Sequence, residues 1–584
     1  MGGSARRLIL ALAAVLARGS AGCGDSRMDD APLDATSDAS SDRATIDGDG
    51  VAVIDGDGDH GPRDATIDDR WFESIDPAVS GLDQVRGEEG FADFHGRMAG
   101  GVCVLDVDRD GALDLVLPAP IVSRGLRLYR GDGALHFVER TRESGLAAID
   151  AGGCLAFDLE GDGDGDLLTL GFGGARLFRN DGGSFVEVSE RLPKVFDEAS
   201  HYMGAVAFDA DGDGMLDLAI TDYGSYRAPP PGLDCVVTCA INNGLFAGGS
   251  TLLLLQRASG DFQDVSDRLG RVDEPGLVLL ATDLDEDGLL DLFVGNDSPR
   301  ANDRYFAGDG AGAFTDVAVK LGVAFNGRKN GVSSMSAFDA DVDGDGHLDL
   351  LESSWEDDRD ALFRCEGGAC VDVAEDVELF RSPKNLRWGQ ALVDLDDDGV
   401  LELFEAAGHV YRDSDLLSPP DAGPPTFAPV SVPALLWHRA GEHAPFAIAE
   451  AKAGLSVVTA GRGVVTMDLD GDGALDAVVG TALGRPLLLR GVHGPRGHWL
   501  GVALAGKGKN SRGVGARVVV RAGAQTWTAL VHAGLGYRSS IDAPLHFGLG
   551  DAPRVDSIEI AWPSGARSSL ADGPGDRMVT IAEP

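Results

Sequence analysis

From residue 71 to about residue 490, short apolar runs alternate with acidic, glycine-rich turns. Val104-Leu105, Phe157, Phe208 and Leu392-Val393 each lead into an aspartate, and Leu115-Val-Leu117, Leu218-Ala-Ile220 and Leu292-Phe-Val294 lead out of the turn. Runs this short suit buried strands rather than helices. A further strand follows, such as Leu126–Arg130 or Arg176–Asn180, then a Gly/Asp turn and a strand led by Phe137, Phe185, Phe262, Phe314 or Phe446, with Cys370 in that place once. Four strands per unit of about 50 residues is the arithmetic of a β-propeller blade. The last unit lacks its fourth strand, and Trp71–Ile75, upstream of the first unit, is predicted to supply it and close the ring.

The turns carry the chemistry. Asp-x-Asp-x-Asp-Gly-x-x-Asp occurs seven times, so the pattern predicts seven blades. The copies are Asp106, Asp108, Asp110, Asp114; Asp158, Glu160, Asp162, Asp166; Asp209, Asp211, Asp213, Asp217; and Asp283, Asp285, Asp287, Asp291. The other three are Asp341, Asp343, Asp345, Asp349; Asp394, Asp396, Asp398, Glu402; and Asp468, Asp470, Asp472, Asp476. Four carboxylates in nine residues repel one another unless a cation sits among them. Calcium accepts six to eight oxygens in a flexible shell, whereas magnesium prefers fewer protein oxygens and more water. Positions 1, 3 and 5 point inward as the loop curls, the glycine at 6 permits the turn, position 7 offers its carbonyl and position 9 closes the shell. About seven calcium sites are therefore expected. The start matches an EF-hand loop, but no acid stands reliably at position 12 and the flanks are strands.

These repeats resemble the FG-GAP/VCBS calcium-loop repeats of integrin α-type propellers and of many secreted bacterial proteins, over about residues 71 to 490. The resemblance implies calcium on one side of the blades and ligand contacts made by face loops. From Gly497 the motif stops and strands resume at Trp499–Leu504, Ala516–Val520, Trp527–Val531 and Ile558–Ala561. Gly513–Val518, Gly534-Leu-Gly-Tyr537, His546–Gly550 and Trp562-Pro-Ser-Gly565 resemble, in order, the ASPIC/UnbV domain that follows such repeats in the family that includes cartilage acidic protein. Relatives tend to carry Gln where this chain has Ser540. The expected fold is all-β: a seven-bladed propeller over 71–493, then a small sandwich-like domain over 497–584.

Upstream, residues 1–23 read as an export signal: Arg6 and Arg7, an apolar run too short to span a bilayer, and a small-residue site before Cys23. Ala-Gly-Cys resembles the end of a bacterial lipoprotein signal, with Cys23 as the lipidated residue; a plain secretory peptide is the alternative. Residues 24–70 hold 14 Asp and 4 Arg with almost no aromatic residue and read as a disordered acidic tether. The remaining cysteines, Cys103, Cys154, Cys235, Cys239, Cys365 and Cys370, suggest three disulfides pairing neighbours in that order. Zinc is the rival for Cys235 and Cys239.

The formal charge of −46 disfavours nucleic acid and anionic lipid as partners, leaving the anchor at Cys23 as the only membrane contact. There is no Gly-x-Ser-x-Gly, His-Glu-x-x-His or complete phosphate-cradling Gly-x-x-x-x-Gly-Lys-Ser/Thr motif. His95, His201, His409, His438, His498 and His546 are scattered and read as packed or solvent-facing. The leading expectation is a monomeric, lipid-anchored or secreted, calcium-stabilised adhesion-type protein without catalytic residues. It would recognise a protein or glycan through loops at Tyr223–Gly249 and Tyr411–Pro433. The second is a polysaccharide-active or redox enzyme scaffolded on the propeller.

Overall fold

The computed structural model describes residues 45–46, 52–56, 70–83, 94–119, 125–226, 246–270, 273–298, 301–328, 331–355, 359–379, 385–410, 431–449, 454–492 and 497–584. The signal with Cys23, Cys235 and Cys239, and most of the two long insertions lie outside them.

Each repeat folds into one antiparallel sheet. In the second, Gly153–Phe157 runs into the acidic loop, Asp166–Gly171 returns from it, and Gly174–Asn180 and Phe185–Glu187 complete the order. Six other sheets share this four-strand order, so every loop joins a first strand to a second. The first strands are Cys103–Leu105, Gly153–Phe157, Ser200–Phe208, Gly276–Thr282, Ser334–Ala340, Arg387–Val393 and Gly461–Met467, and consecutive ones pack side by side. Val102, Val104 and Leu115 of the first sheet pack with Val465, Val478 and Leu488 of the last, which makes the arrangement cyclic: an all-β propeller.

Closure follows the predicted route. Phe72–Ser74 pairs antiparallel with Leu489–Gly491, and Phe72 is buried edge-on to Phe404 at 5.5 Å. The sheet of the last repeat thus borrows its outer strand from the start of the chain and loses an open edge. Cys103–Cys154 joins the first strands of two neighbouring sheets, and Cys365–Cys370 spans a hairpin.

The C-terminal residues form two sheets face to face. His498–Ala505, Leu545–Gly550 and Arg577–Ala582 make one, and Arg517–Ala522, Gln525–Leu530, Arg554–Ala561 and Arg567–Pro574 the other. Leu500, Val502, Val518, Ile558 and Val579 fill the space between them, as in a β-sandwich. Within 24–70, read as a disordered tether, the described residues form two short strands. Ala52–Gly56 adds antiparallel to Arg577–Ala582, and Thr45–Ile46 pairs with Ala52–Val53. The acidic composition hid the short apolar run Val51–Ile54, which needs only backbone bonds to extend a sheet edge.

The two parts interlock. The segment from Ala533 to Asp542 leaves the sandwich and enters the centre of the propeller, where Ser540–Ile541 pairs in parallel with Cys103–Val104. Ala207 donates its N–H to the Ala533 carbonyl (2.9 Å) and Cys154 to that of Arg538 (3.3 Å). Tyr537 is fully buried, its hydroxyl donates to the Met98 carbonyl at 2.7 Å, and its ring meets Trp388 edge-on. Arg538 donates to the carbonyls of Met98, Leu170 and Tyr202. Gly101 leaves space for this plug: a Cβ there would lie 2.0 Å from the Arg538 carbonyl oxygen. Gly101→Ala is therefore expected to destabilise the fold by about 3 kcal/mol or more through overpacking, and Tyr537→Phe by about 1 kcal/mol, measured by thermal or denaturant melts.

Candidate functional site: seven acidic loops under the C-terminal domain

Within each loop the first aspartate organises the backbone. Asp209, for example, accepts from Gly212 (2.8 Å), Asp213 (3.1 Å) and Gly214 (2.9 Å), and the position-5 aspartate accepts from the residue two further on, as Asp213 does from Met215 (2.9 Å). The glycine at position 6 has φ between 80° and 90° in all seven loops, from Gly214 at 80° to Gly346 at 90°. A side chain is strained there.

The position-9 acid is a strut between the loop and the third strand. Asp217 accepts from Ala210 (2.9 Å) and Gln256 (2.7 Å), Asp166 from Leu159 and Asn180 (both 2.7 Å), and Asp476 from Leu469 (3.0 Å) and Gly491 (2.9 Å). Asp114 and Asp349 repeat the pattern. Asp291 uses the Gly308 amide and the Tyr305 hydroxyl, whose oxygen accepts from Leu284. Glu402 accepts from Leu395 at 3.0 Å. Sequence reasoning assigned position 9 to the metal shell alone; the backbone bonds hold it first.

Carboxylate oxygens converge within 4.8 Å of one another in Asp106/Asp108/Asp114, Asp209/Asp211/Asp217, Asp283/Asp285/Asp291, Asp341/Asp343/Asp345 and Asp394/Asp396/Glu402. Buried oxygens of Asp108, Asp211, Asp283, Asp341 and Asp343 have no hydrogen-bond donor among the described residues. These orphaned acceptors at positions 1 and 3 fit a cation. Burial pushes Asp283 up to about 6, Asp341 to about 7, and Asp166, Asp217 and Asp291 to about 8, while Asp394, Glu402 and Asp476 rise well above the usual range. Arginines provide partial compensation at position 3: Arg191 lies 2.6 Å from Glu160, Arg364 3.1 Å from Asp343, Arg490 3.2 Å from Asp470, Arg257 3.6 Å from Asp211, and Arg130 pairs with Asp108. A cation entering these loops shares its carboxylates with them.

The sandwich lies over this face. Ser511 pairs with Asp158, and Arg512 donates to the Gly163 carbonyl at 3.2 Å, both in the second loop. Arg517 reaches the Gly346 carbonyl (2.6 Å) in the fifth loop, and Trp527 the Gly399 carbonyl (3.4 Å) in the sixth. His546 meets Asp397 at 2.7 Å in the sixth loop as well. Of the scattered histidines, His546 thus joins the two parts, and His95 bonds His201 at 3.0 Å. No local sequence signal marks these contacts.

Fold and loops together define an all-β propeller with one acidic loop per sheet. FG-GAP-like repeats match at residues 106–169, 158–220 and 283–352, and an ASPIC and UnbV domain at 506–584. The chain is similar to cartilage acidic protein 1 of Xenopus tropicalis, 26% identical over 83% of this chain and 73% of that one, and of Homo sapiens, 25% identical over 83% and 72%. Among solved structures it is similar to BBS1N in complex with ARL6DN, at 9% identity and a TM-score of 0.40, over 72% of this chain and 97% of that one.

Raised carboxyl values set a pH dependence. Without divalent cations the folded state holds protons on Asp166, Asp217 and Asp291 that the unfolded chain has released. Stability from these groups is therefore lost as pH rises from about 4 to about 8. In chelator the melting temperature is expected to be higher at pH 5.5 than at pH 8, and saturating divalent cation is expected to flatten or reverse that slope.

Proposed function

We propose that the chain is an exported, calcium-stabilised binding protein of adhesion type, whose protein or glycan partner docks on the propeller face opposite the acidic loops. The observation that carries this reading is the covered loop face: contacts from Ser511, Arg512, Arg517, Trp527 and His546 occupy it, and the Ala533–Asp542 plug fills the centre. The second strand of each sheet leads away from its loop to the opposite face, where both long insertions leave the sheets, after Asp217–Tyr226 and after Glu402–Ala407. Exposed Phe172, just after Asp166–Gly171, lies at that end too. Structural disulfides and the lipoprotein-like ending at Cys23 support export and lipid anchoring.

Calcium is the cation we assign to the loops. Hard carboxylate oxygens at positions 1, 3 and 5 with a turn glycine at 6 suit its flexible shell. The residues holding it are the acids of the seven loops, and bound calcium supplies the charge that their buried oxygens need. At tenfold its dissociation constant, each site adds about 1.4 kcal/mol, so seven add about 10 kcal/mol.

Chelation is expected to lower the melting temperature at neutral pH by about 10 °C for a chain of this size, and calcium to restore it; an unchanged melt would remove the calcium reading. For the face, pull-down and glycan-array screening in calcium should identify a partner whose binding falls about tenfold or more in Phe172→Asp, with the melting temperature preserved. A partner indifferent to this face but lost on disturbing the sandwich would overturn it.

A further inference from the structure

The acidic loops are not equally open to solvent. In Asp106/Asp108/Asp114 and Asp209/Asp211/Asp217 the acids at positions 1 and 3 are half-buried, and in Asp283/Asp285/Asp291 and Asp341/Asp343/Asp345 the acid at position 3 is half-buried. In the sixth loop Asp394, Asp396 and Glu402 are all buried, at 5%, 1% and 1% exposure, and Asp397 beside them is 2% exposed. Asp394 feels the charges of Asp396, Asp397 and Asp398 in addition to its own burial, so a cation there offsets both repulsion and desolvation.

What covers this loop is the sandwich. Leu545–Gly550 runs across it: the Gly550 amide donates to the Asp397 carbonyl at 2.9 Å, and His546 Nε2 lies 2.7 Å from Asp397 Oδ1. Gly548 approaches so closely that a Cβ there would lie 1.9 Å from Asp394 Oδ2. Trp527 donates its indole N–H to the Gly399 carbonyl at 3.4 Å. His532 meets the neighbouring sheet, 2.8 Å from Asp339 Oδ1. Asp394 also borders a cavity of about 220 Å³ at the seam, whose sandwich wall includes Trp499, Trp527 and Met578. An ion leaving by that route passes beneath sandwich side chains.

We propose that the sandwich is the lid of the sixth cation site: calcium held by Asp394, Asp396, Asp398 and Glu402 leaves only when Leu545–Gly550 lifts off, whereas ions in the half-buried loops exchange with the sandwich in place. The coupling is reciprocal. An ion beneath the lid favours docking of the sandwich, and docking slows the escape of the ion. This rests on the calcium assignment above and gives the C-terminal domain a task of its own, separate from partner docking on the opposite face. A brief fall in free calcium empties the other loops before it undocks the domain.

The test loads the full chain with calcium, mixes it with excess fluorescent chelator in a stopped-flow instrument and counts the ions released in each phase, with total bound calcium taken from equilibrium dialysis. One ion per chain is expected to leave about 100-fold or more slowly than the rest, because its exit waits on a rarely populated opening. Asp396→Asn should remove that slow ion, and Asp343→Asn, in the half-buried fifth loop, only a fast one. Gly548→Ala, which pries up the lid by overpacking, should speed the slow phase about tenfold or more with the ion count unchanged. Release of all calcium in one fast phase, or a slow ion that survives Asp396→Asn, overturns the lid alone; a wild type that binds no calcium overturns the calcium assignment with it. Should Gly548→Ala fail to fold, pulsed hydrogen exchange of the wild type decides. After chelation the amides of Leu545–Gly550 are expected to lose protection in step with the slow ion, and loss in step with the fast ions overturns the proposal.

Discussion

A buried carboxylate at the end of each acidic loop is the constraint on which the propeller depends. Asp114, Asp166, Asp217, Asp349 and Asp476 each receive one amide from the second loop residue and one from the third strand, so a single side chain fixes where the loop ends and how two strands sit together. Burial is what makes these bonds strong, and burial is also what makes the charge costly. The amides offset part of that cost, and arginines such as Arg130 and Arg490 offset more from the rim. A cation held by the acids at positions 1, 3 and 5, as we propose, would complete the compensation. The sheet geometry and the demand for a cation thus have one origin, repeated around the ring.

That repetition also explains why the C-terminal sandwich is not an appendage. A ring of small first strands leaves an axial space, and glycines such as Gly101 widen it further. Tyr537 and Arg538 fill it, bonding to carbonyls that the ring presents inward. Arg462 lies over Trp388 at 4.3 Å and donates to the Arg97 and Gly461 carbonyls. These buried guanidiniums meet backbone oxygens, and burial lowers their proton affinity below the usual arginine range. The ring and the sandwich consequently share a core, and a change at the axis is felt in both.

Most of the propeller was legible because short apolar runs and a nine-residue acidic motif recur in register. Ring closure through Phe72 was legible too, since the last repeat visibly lacked a strand. The pairings Cys103–Cys154 and Cys365–Cys370 followed from proximity along the repeats. Contacts between distant segments left no such trace. Gly534-Leu-Gly-Tyr537 stood out as a motif, but nothing local says that it enters the channel, and Asp339 is 193 residues from His532, counting from 339 to 532. Ala52–Gly56 was missed for a different reason: an edge strand is specified by backbone bonds, and its acidic surroundings dominate the composition.

Geometry also changes the meaning of the net charge. Taken over the whole chain, −46 suggests attraction of a cationic partner by long-range steering. The 28 acids of the loops, however, are gathered on one face, where struts, arginines and the sandwich enclose them. A carboxylate bonded to two amides beneath another domain contributes little field to solvent, and one neutralised by a cation contributes less. The opposite face, from which the insertions emerge, is built from the other ends of the same strands and includes exposed Phe172. Recognition at this face, where we propose the partner docks, would rest on shape and apolar contact more than on steering. Its association rate should then depend only weakly on salt, in contrast to what the composition alone implies.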